Sequence, residues 1–251
     1  MDQDDLVSVI IPSYNRFEYL QNAINSVLNQ TYKNFEIIVI NDGSTQEEYY
    51  TKPLQEKVSV INLEQNQKNV IGYVSDGFIR NFGIDVANGK YLAFLDDDDM
   101  WMPEKLDIQI REMKKYNFKF SSTEGYYGEG SFNKNINYEL YNSEKFYNVI
   151  KKKYSHTNFS PGLLERLKGD KFEYPNVWSH DFLKIHNCVI VSSVIVEKSL
   201  LDTLGGFRGI PTSKHSDYDC WLGLLKISNL LYVNEPLFYY DGKHGSGQNW
   251  N

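Results

Sequence analysis

Four consecutive carboxylates, Asp96-Asp97-Asp98-Asp99, follow directly on the apolar run Tyr91-Leu92-Ala93-Phe94-Leu95. The run has the length of a buried strand, so the acids fall at the carboxyl edge of a sheet, where open α/β folds bind ligands. Carboxylates this close repel one another unless a cation sits among them. A hard divalent ion such as Mg²⁺ or Mn²⁺ meets that need, because it prefers oxygen ligands and bridges readily to a substrate phosphate. The competing reading is a solvated acidic turn ahead of a helix, since acids favour helix N-termini and Pro103 marks a helix start nearby. The local pattern admits both.

The elements that would position these acids are legible around them. Val7 to Ile11 reads as a strand ended by Pro12, and Leu20, Ala23, Ile24, Val27 and Leu28 fall on one face of a helix. Phe35 to Ile40 is a second apolar strand, closing on Asn41-Asp42-Gly43-Ser44-Thr45, and Val58 to Ile61 is a third. Strand, helix, strand at this spacing is a βαβ unit with parallel strands and a right-handed crossover. Residues 75 to 88 read as helix, Gly89-Lys90 breaks it, and a helix opened by Pro103 carries Leu106, Ile110 and Met113 on its inner face. The fold class expected is α/β: an open, mainly parallel sheet with helices on both faces.

Between about 121 and 186 the character changes to Tyr, Asn, Lys and Gly, with a basic run at Lys151-Lys152-Lys153. Tyr126, Tyr127, Phe146, Tyr147, Tyr154, Phe159, Phe172, Tyr174 and Trp178 are too many aromatics for a solvating linker. A long, partly ordered excursion over one face of the sheet is expected. Regular structure is expected to return with a strand from Cys188 to Val196 and a helix from Lys198 to Leu204, stopped by Gly205-Gly206. A buried helix carrying Trp221, Leu222, Leu224 and Leu225 follows, then short strands at Leu230 to Val233 and Leu237 to Tyr240. No Pro/Gly-rich linker splits the chain, so 1–251 reads as one domain.

A formal charge of -7 argues against a nucleic-acid binder, because phosphate backbones attract basic surfaces. Cys188 and Cys220 are the only cysteines, too few and too far apart for a disulfide framework or a zinc cluster, which points to a reducing compartment. Met1-Asp2-Gln3-Asp4-Asp5 is acidic and runs straight into a strand, unlike a signal peptide. No apolar run approaches the ~20 residues needed to span a bilayer. The expected location is cytoplasmic, with no transmembrane segment.

Taken together, these segments resemble a known family, the GT-A-fold glycosyltransferases of the large family 2 type, which are inverting and use nucleotide sugars. The resemblance rests on Val7-Ser8-Val9-Ile10-Ile11-Pro12-Ser13-Tyr14-Asn15-Arg16 and Phe35-Glu36-Ile37-Ile38-Val39-Ile40-Asn41-Asp42-Gly43-Ser44. It continues through Arg80-Asn81-Phe82-Gly83-Ile84, Gly89-Lys90 with the acid-tipped strand, and Trp101-Met102-Pro103-Glu104-Lys105-Leu106. Leu204-Gly205-Gly206-Phe207 and Asp217-Tyr218-Asp219-Cys220-Trp221-Leu222 complete it in the expected order.

The resemblance implies roles residue by residue. Residues 1–120 become a nucleotide-sugar-binding half, 121–186 the irregular excursion, and 187–251 an acceptor-side half with a C-terminal tail. Asp98 is implied as the direct ligand of Mn²⁺ or Mg²⁺ in a DxD-type motif, with Asp96 and Asp97 nearer the ribose or the ion; four acids in a row leave that register open by one position. A bound cation would neutralise charge on the departing diphosphate as a Lewis acid. Pro12, Tyr14, Arg16, Asp42 and Arg80 complete the implied donor site. Tyr14 offers an aromatic face, Asp42 an acceptor for the N3–H of uracil, and Arg80 a charge-assisted donor to phosphate. Asp217 is implied as the general base that takes the proton of the acceptor hydroxyl, while Asp219 stays open as an alternative. Ser216 and Gly223 depart from the family pattern, which has an acid and an arginine there, and both fall on the acceptor side. His244 matches a tail histidine that completes the metal site in some relatives.

The activity this implies is transfer of a hexose or N-acetylhexosamine from a UDP-sugar to a hydroxyl of a carbohydrate or other acceptor. Two alternatives stand beside it. A nucleotidyltransferase would need a glycine-rich basic phosphate loop, which Pro12-Ser13-Tyr14-Asn15-Arg16 is not. A nucleotide-sugar-binding member without transferase activity is suggested by Ser216 and Gly223.

Overall fold

The computed structural model describes residues 5–73, 76–149, 152, 174, 176–208 and 216–244. Lys151, Lys153, Tyr154, His156, Phe159, Phe172, His215 and the tail from Gly245 lie outside those residues. In chain order come β1 (Val7–Ser13), α1 (Phe17–Leu28), β2 (Phe35–Asn41), α2 (Glu48–Thr51), β3 (Val58–Asn62), α3 (Gln67–Ile71) and α4 (Asp76–Val86). Next are β4 (Tyr91–Phe94), β5 (Met100–Trp101), α5 (Lys105–Tyr116), β6 (Phe120–Gly128) and β7 (Glu139–Leu140). The last part holds β8 (Val177–Trp178), α6 (His180–Leu183), β9 (Ile195–Glu197), α7 (Lys198–Leu204), α8 (Ser216–Leu224) and β10 (Leu230–Asp241).

Among the described residues the strands form one ten-stranded sheet in the order β3-β2-β1-β4-β9-β6-β10-β5, with β7 beside β6 and β8 beside β10. The first half is parallel throughout: β1 pairs β2 with Val7 opposite Phe35, and β4 with Val7 opposite Tyr91. Antiparallel β9 then joins this half to the parallel pair β6 and β10. Because successive side chains alternate across a strand, β1 feeds two cores. Val7, Val9 and Ile11 pack with α1 and α5, whereas Ile10 joins α4, α7 and α8 on the other face. Strands covered on both faces read as unbroken apolar runs, which is why β1, β2 and β4 stand out in the sequence. On α4, Gly83 has no room for a side chain: a Cβ there would meet Ile10 Cγ2 at 2.8 Å and Ile40 Cδ1 at 2.9 Å. That close approach fixes the helix that carries Arg80.

Three expectations are corrected. β6 carries regular structure to Gly128, past the change expected near 121. Its Ser121, Ser122, Thr123 and Glu124 look solvent-facing in the sequence but are buried. Glu124 accepts from Asn142 N–H and Ser143 N–H at 2.9 Å, from Ser143 Oγ at 2.7 Å and from Tyr232 OH at 3.1 Å, which accounts for a carboxylate at zero exposure. The apolar stretch 188–196 is strand only from Ile195, because Val191–Ser193 coils into a 3₁₀ turn. The two short strands near the end are one strand, β10, whose register shifts around Pro236 while pairing with β6 continues. Among the described residues no helix is long and apolar enough to cross a membrane.

Candidate functional site

The acid turn grows out of β4, whose parallel neighbour β1 ends beside it at Ser13. The four carboxylates alternate in their surroundings. Asp97 is 3 % exposed and accepts from Ser13 Oγ at 2.7 Å and from Arg16 Nη1 at 3.1 Å. Asp99 is equally buried; it accepts from Ser192 Oγ at 2.5 Å and from Asp241 N–H at 3.0 Å. Asp96 and Asp98 are less enclosed, with Asp96 paired to Arg80 and Asp98 held by Arg16 Nη1 at 2.7 Å. Ser192 serves twice, because its Oγ also accepts the Asp96 N–H at 3.1 Å. The 3₁₀ turn that interrupts the expected strand therefore brings one hydroxyl under both ends of the acid run.

Burial is the main cause of raised carboxylate affinity for protons here. It pushes Asp97 up to about 8 against the opposing charge of Arg16. Asp98 rises to about 6, through burial and then the charge of Asp96, with Arg16 and His244 pulling the other way. Asp99 is also held well above the ordinary carboxylate range by burial and its acidic neighbours. Such shifts, set first by burial, are common where acids are gathered at a functional site.

A cavity of about 310 Å³ opens in front of this turn. Its lining includes Pro12, Arg16, Arg80, Asp96, Asp97, Asp98, Asp217 and His244, so eight of the ten residues singled out in the sequence converge on it. Asp217 sits in the first turn of α8 and lines the same cavity as the acids. Asp219 is directed elsewhere: Arg208 Nε donates to its Oδ2 at 2.8 Å and Arg208 Nη2 to its Oδ1 at 2.5 Å, and it does not line the cavity. The two departures from the family pattern have structural occupants. Ser216 Oγ accepts the Gly77 N–H at 3.1 Å, tying α8 to α4. Gly223 lets α7 approach, since a Cβ there would meet Leu204 Cδ1 at 2.8 Å. His244 is exposed, has a positive φ of 52° and stands 3.5 Å from Tyr240 OH through Nε2.

Tyr14 and Asp42 lie in the adjoining turns rather than in the cavity wall. Asp42 is 1 % exposed and accepts from Asn66 Nδ2 at 2.8 Å and from Gln67 N–H at 2.9 Å, so it holds the start of α3. Gly43, with φ +68°, makes the turn possible, because a side chain there would press on the backbone of Gln65 and Asn66. Asn15 staples the two turns together, its Oδ1 accepting from Thr45 N–H at 2.7 Å and Gln46 N–H at 3.2 Å. Tyr49 was not foreseen: its hydroxyl bonds Ser13 Oγ and accepts the Arg16 N–H at 3.0 Å. Ser13 lies within the first of the family motifs, whereas nothing local in the sequence signals Tyr49 or Ser192.

Among the described residues no three His, Cys, Asp or Glu side chains gather as a complete metal cage. Mg²⁺ and Mn²⁺ do not require one, because they are commonly held by one or two carboxylates together with waters and substrate phosphates. Asp96 and Asp98, hard oxygen donors on one cavity wall, suit such an ion completed by a diphosphate.

The sequence model for glycosyl transferase family 2 matches residues 8–164, more than half of the chain. Over 234 residues the chain is 31% identical to the Escherichia coli protein named UDP-Glc:alpha-D-GlcNAc-diphosphoundecaprenol beta-1,3-glucosyltransferase WfgD, covering 92% of this chain and 74% of that one. It is 42% identical over 149 residues to an uncharacterized glycosyltransferase of Rickettsia bellii, covering 53% of this chain and 20% of the other, so it spans about a fifth of that relative's length. Among solved structures, Staphylococcus aureus TarS 1-349 in complex with UDP-GlcNAc aligns with a TM-score of 0.58 at 17% identity, covering 97% of this chain and 61% of that one. The mannosyltransferase PcManGT from Pyrobaculum calidifontis, in complex with GDP-Man and Mn²⁺, aligns with a TM-score of 0.61 at 13% identity, covering 95% and 57%. At those identities the likeness speaks for the GT-A fold alone, the mixed, mostly parallel sheet described above. Family match and near-full-length relative together settle the membership: this chain belongs to glycosyl transferase family 2.

Proposed function

We propose that this chain is a metal-dependent inverting glycosyltransferase that moves a hexose or N-acetylhexosamine from a UDP-sugar to a hydroxyl of a carbohydrate or other acceptor. The observation that carries the reading is that Asp217 lines one cavity with Asp96, Asp98, Arg16 and Arg80. A general base sharing a cavity with cationic and metal-binding groups suits displacement at a carbon held between them. Asp217 takes the proton of the acceptor hydroxyl as that oxygen attacks from the face opposite the leaving group. Arg80 and Arg16 donate to the diphosphate as negative charge builds on it. Asp98, with Asp96, would hold a divalent ion, which when bound supplies Lewis-acid neutralisation of the leaving group.

Uridine is favoured by Asp42, a carboxylate in the turn after β2 whose chemistry suits the N3–H of uracil. The names of relatives lend support: WfgD is named for UDP-Glc, and TarS is described in complex with UDP-GlcNAc. PcManGT, described with GDP-Man and Mn²⁺, supports the metal and leaves guanosine as the competing base. The test is a thermal-shift screen of UDP-, GDP- and CDP-sugars with Mn²⁺, followed by detection of released nucleoside diphosphate. The largest upward shift should come with UDP-sugars, by ordinary ligand linkage. An equal or reversed order removes the uridine assignment, and donor binding without any transfer to an acceptor panel favours a non-transferring member.

A further inference from the structure

The acid turn has a second face. On its far side lies another cavity, of about 430 Å³, and Asp97 and Asp98 form part of the wall of both. We propose that this second cavity binds a neutral saccharide segment. The inference rests on the functional reading above only for its link to transfer, as a place for glycan beyond the reacting hydroxyl; the binding itself is argued from the cavity.

Three neutral amides line one side. Asn22 and Asn25 on α1 and Asn29 at its C-terminal cap are spaced three and four residues apart, on the side away from Leu20, Ala23, Ile24 and Val27, and all three are exposed. A sugar hydroxyl both donates and accepts, and a carboxamide offers both roles on one planar group, whereas an ionised side chain offers one. Aromatic rings line the other side. Phe132 stacks on Tyr138 at 5.5 Å and meets Tyr239 edge-on at 5.4 Å, while Tyr239 OH donates to Gly130 O at 2.7 Å. These contacts hold flat apolar surfaces in place for the C–H faces of pyranose rings. Adjacent positions on β10 serve opposite sides of the turn, Tyr240 lining the first cavity and Tyr239 the second.

Charge narrows the ligand class. No Lys, Arg or His belongs to the described lining of this second cavity. Its only ionisable acids are those of the turn, and Asp97 and Asp99 are already engaged by Ser13, Arg16, Ser192 and the Asp241 N–H. A nucleotide, a phosphate or an anionic lipid headgroup would meet no positive partner there. A hydrocarbon chain would strip water from the amides without replacing their hydrogen bonds, which is unfavourable.

The test uses the whole chain and a panel of neutral tetrasaccharides (β-1,3- and β-1,4-linked glucose and N-acetylglucosamine), titrated by calorimetry and ligand-observed NMR. Titrations are run with and without saturating UDP and Mn²⁺. At least one tetrasaccharide should bind, equally well with UDP present. The double variant Asn22→Ala/Asn29→Ala and the single variant Phe132→Ala should each weaken it at least tenfold, or about 1.4 kcal/mol. Both variants should keep the parent melting temperature and the parent UDP response. The proposal is overturned if no tetrasaccharide binds at about 10 mM, tenfold above a weak 1 mM complex. Binding that UDP abolishes, or that neither variant weakens, also overturns it. So does finding that phosphatidylglycerol vesicles, rather than saccharides, depend on these residues. Failure of UDP to bind, with saccharide binding intact, would sink the donor reading and leave this one standing.

Discussion

Arg16 reaches two carboxylates through a single nitrogen: Nη1 lies 3.1 Å from Asp97 Oδ1 and 2.7 Å from Asp98 Oδ2. One guanidinium thus offsets two acids, and Arg80 takes the third, Asp96. Removing one partner of a buried ion pair is far more damaging than the net worth of the pair, since the remaining charge stays buried and unpaired. Arg16→Ala should therefore lower stability by about 3 kcal/mol above pH 8, where both acids are ionised, in chemical denaturation. The deficit should shrink as pH falls through about 8 and then about 6, where Asp97 and then Asp98 take up protons, and a loss independent of pH would show that Arg16 matters through packing instead.

Asp217→Asn keeps shape and leaves the donor wall untouched. Its UDP–Mn²⁺ thermal shift should match the parent, while the transfer rate falls by about 10²–10⁴, the range for loss of a positioned base. Transfer at the parent rate would move the base to another residue, and Asp219 is a poor successor because Arg208 holds it outside the cavity.

Asp98, raised to about 6, and Asp97, raised to about 8, bind protons in the folded chain that an ordinary carboxylate near 3.8 has already released. With more protons on the folded than the unfolded state, stability falls as pH rises. The metal-free chain should thus lose melting temperature from about pH 4 to about pH 8, with Asp98→Asn flattening the slope. Mn²⁺ needs the ionised acids, so its stabilisation should grow over the same range and vanish on chelation. A melting temperature that climbs through this window without metal would contradict the burial of the turn.

Glu124→Gln preserves volume but replaces a carboxylate that accepts five donors with an amide that brings its own N–H groups. Stability should drop by about 3 kcal/mol, because hydrogen bonds to a buried charge are among the stronger ones and the amide leaves some donors unmet. Donor binding should survive, as Glu124 lies outside the cavity wall. A near-neutral variant would mean that water replaces the lost acceptor.

The parts of the fold that the sequence announces are those where burial acts on consecutive residues. β1, β2 and β4 are enclosed on both faces, so their apolar runs are unbroken. β6 escapes notice because its buried groups are polar and satisfied by partners far along the chain, such as Tyr232 for Glu124. β10 reads as two strands because Asn234 and Glu235 face solvent where the register shifts. The site follows the same division. Asp96, Asp98, Arg80 and Asp217 lie in recognisable motifs. Tyr49 and Ser192 act through hydrogen bonds to Ser13, 36 residues away, and to Asp99, 93 residues away, and no local pattern encodes such distances. The alternation that buries Asp97 and Asp99 more deeply than Asp96 and Asp98 is likewise a property of the folded turn.

The double engagement of Ser192, accepting from Asp96 N–H and donating to Asp99, has a consequence for ligand capture. The backbone between those residues has surrendered its conformational freedom before any diphosphate arrives. Association then need not draw on binding energy to organise the acids, and more of it remains as affinity. Preorganisation of the turn is vested in a hydroxyl that lines neither cavity.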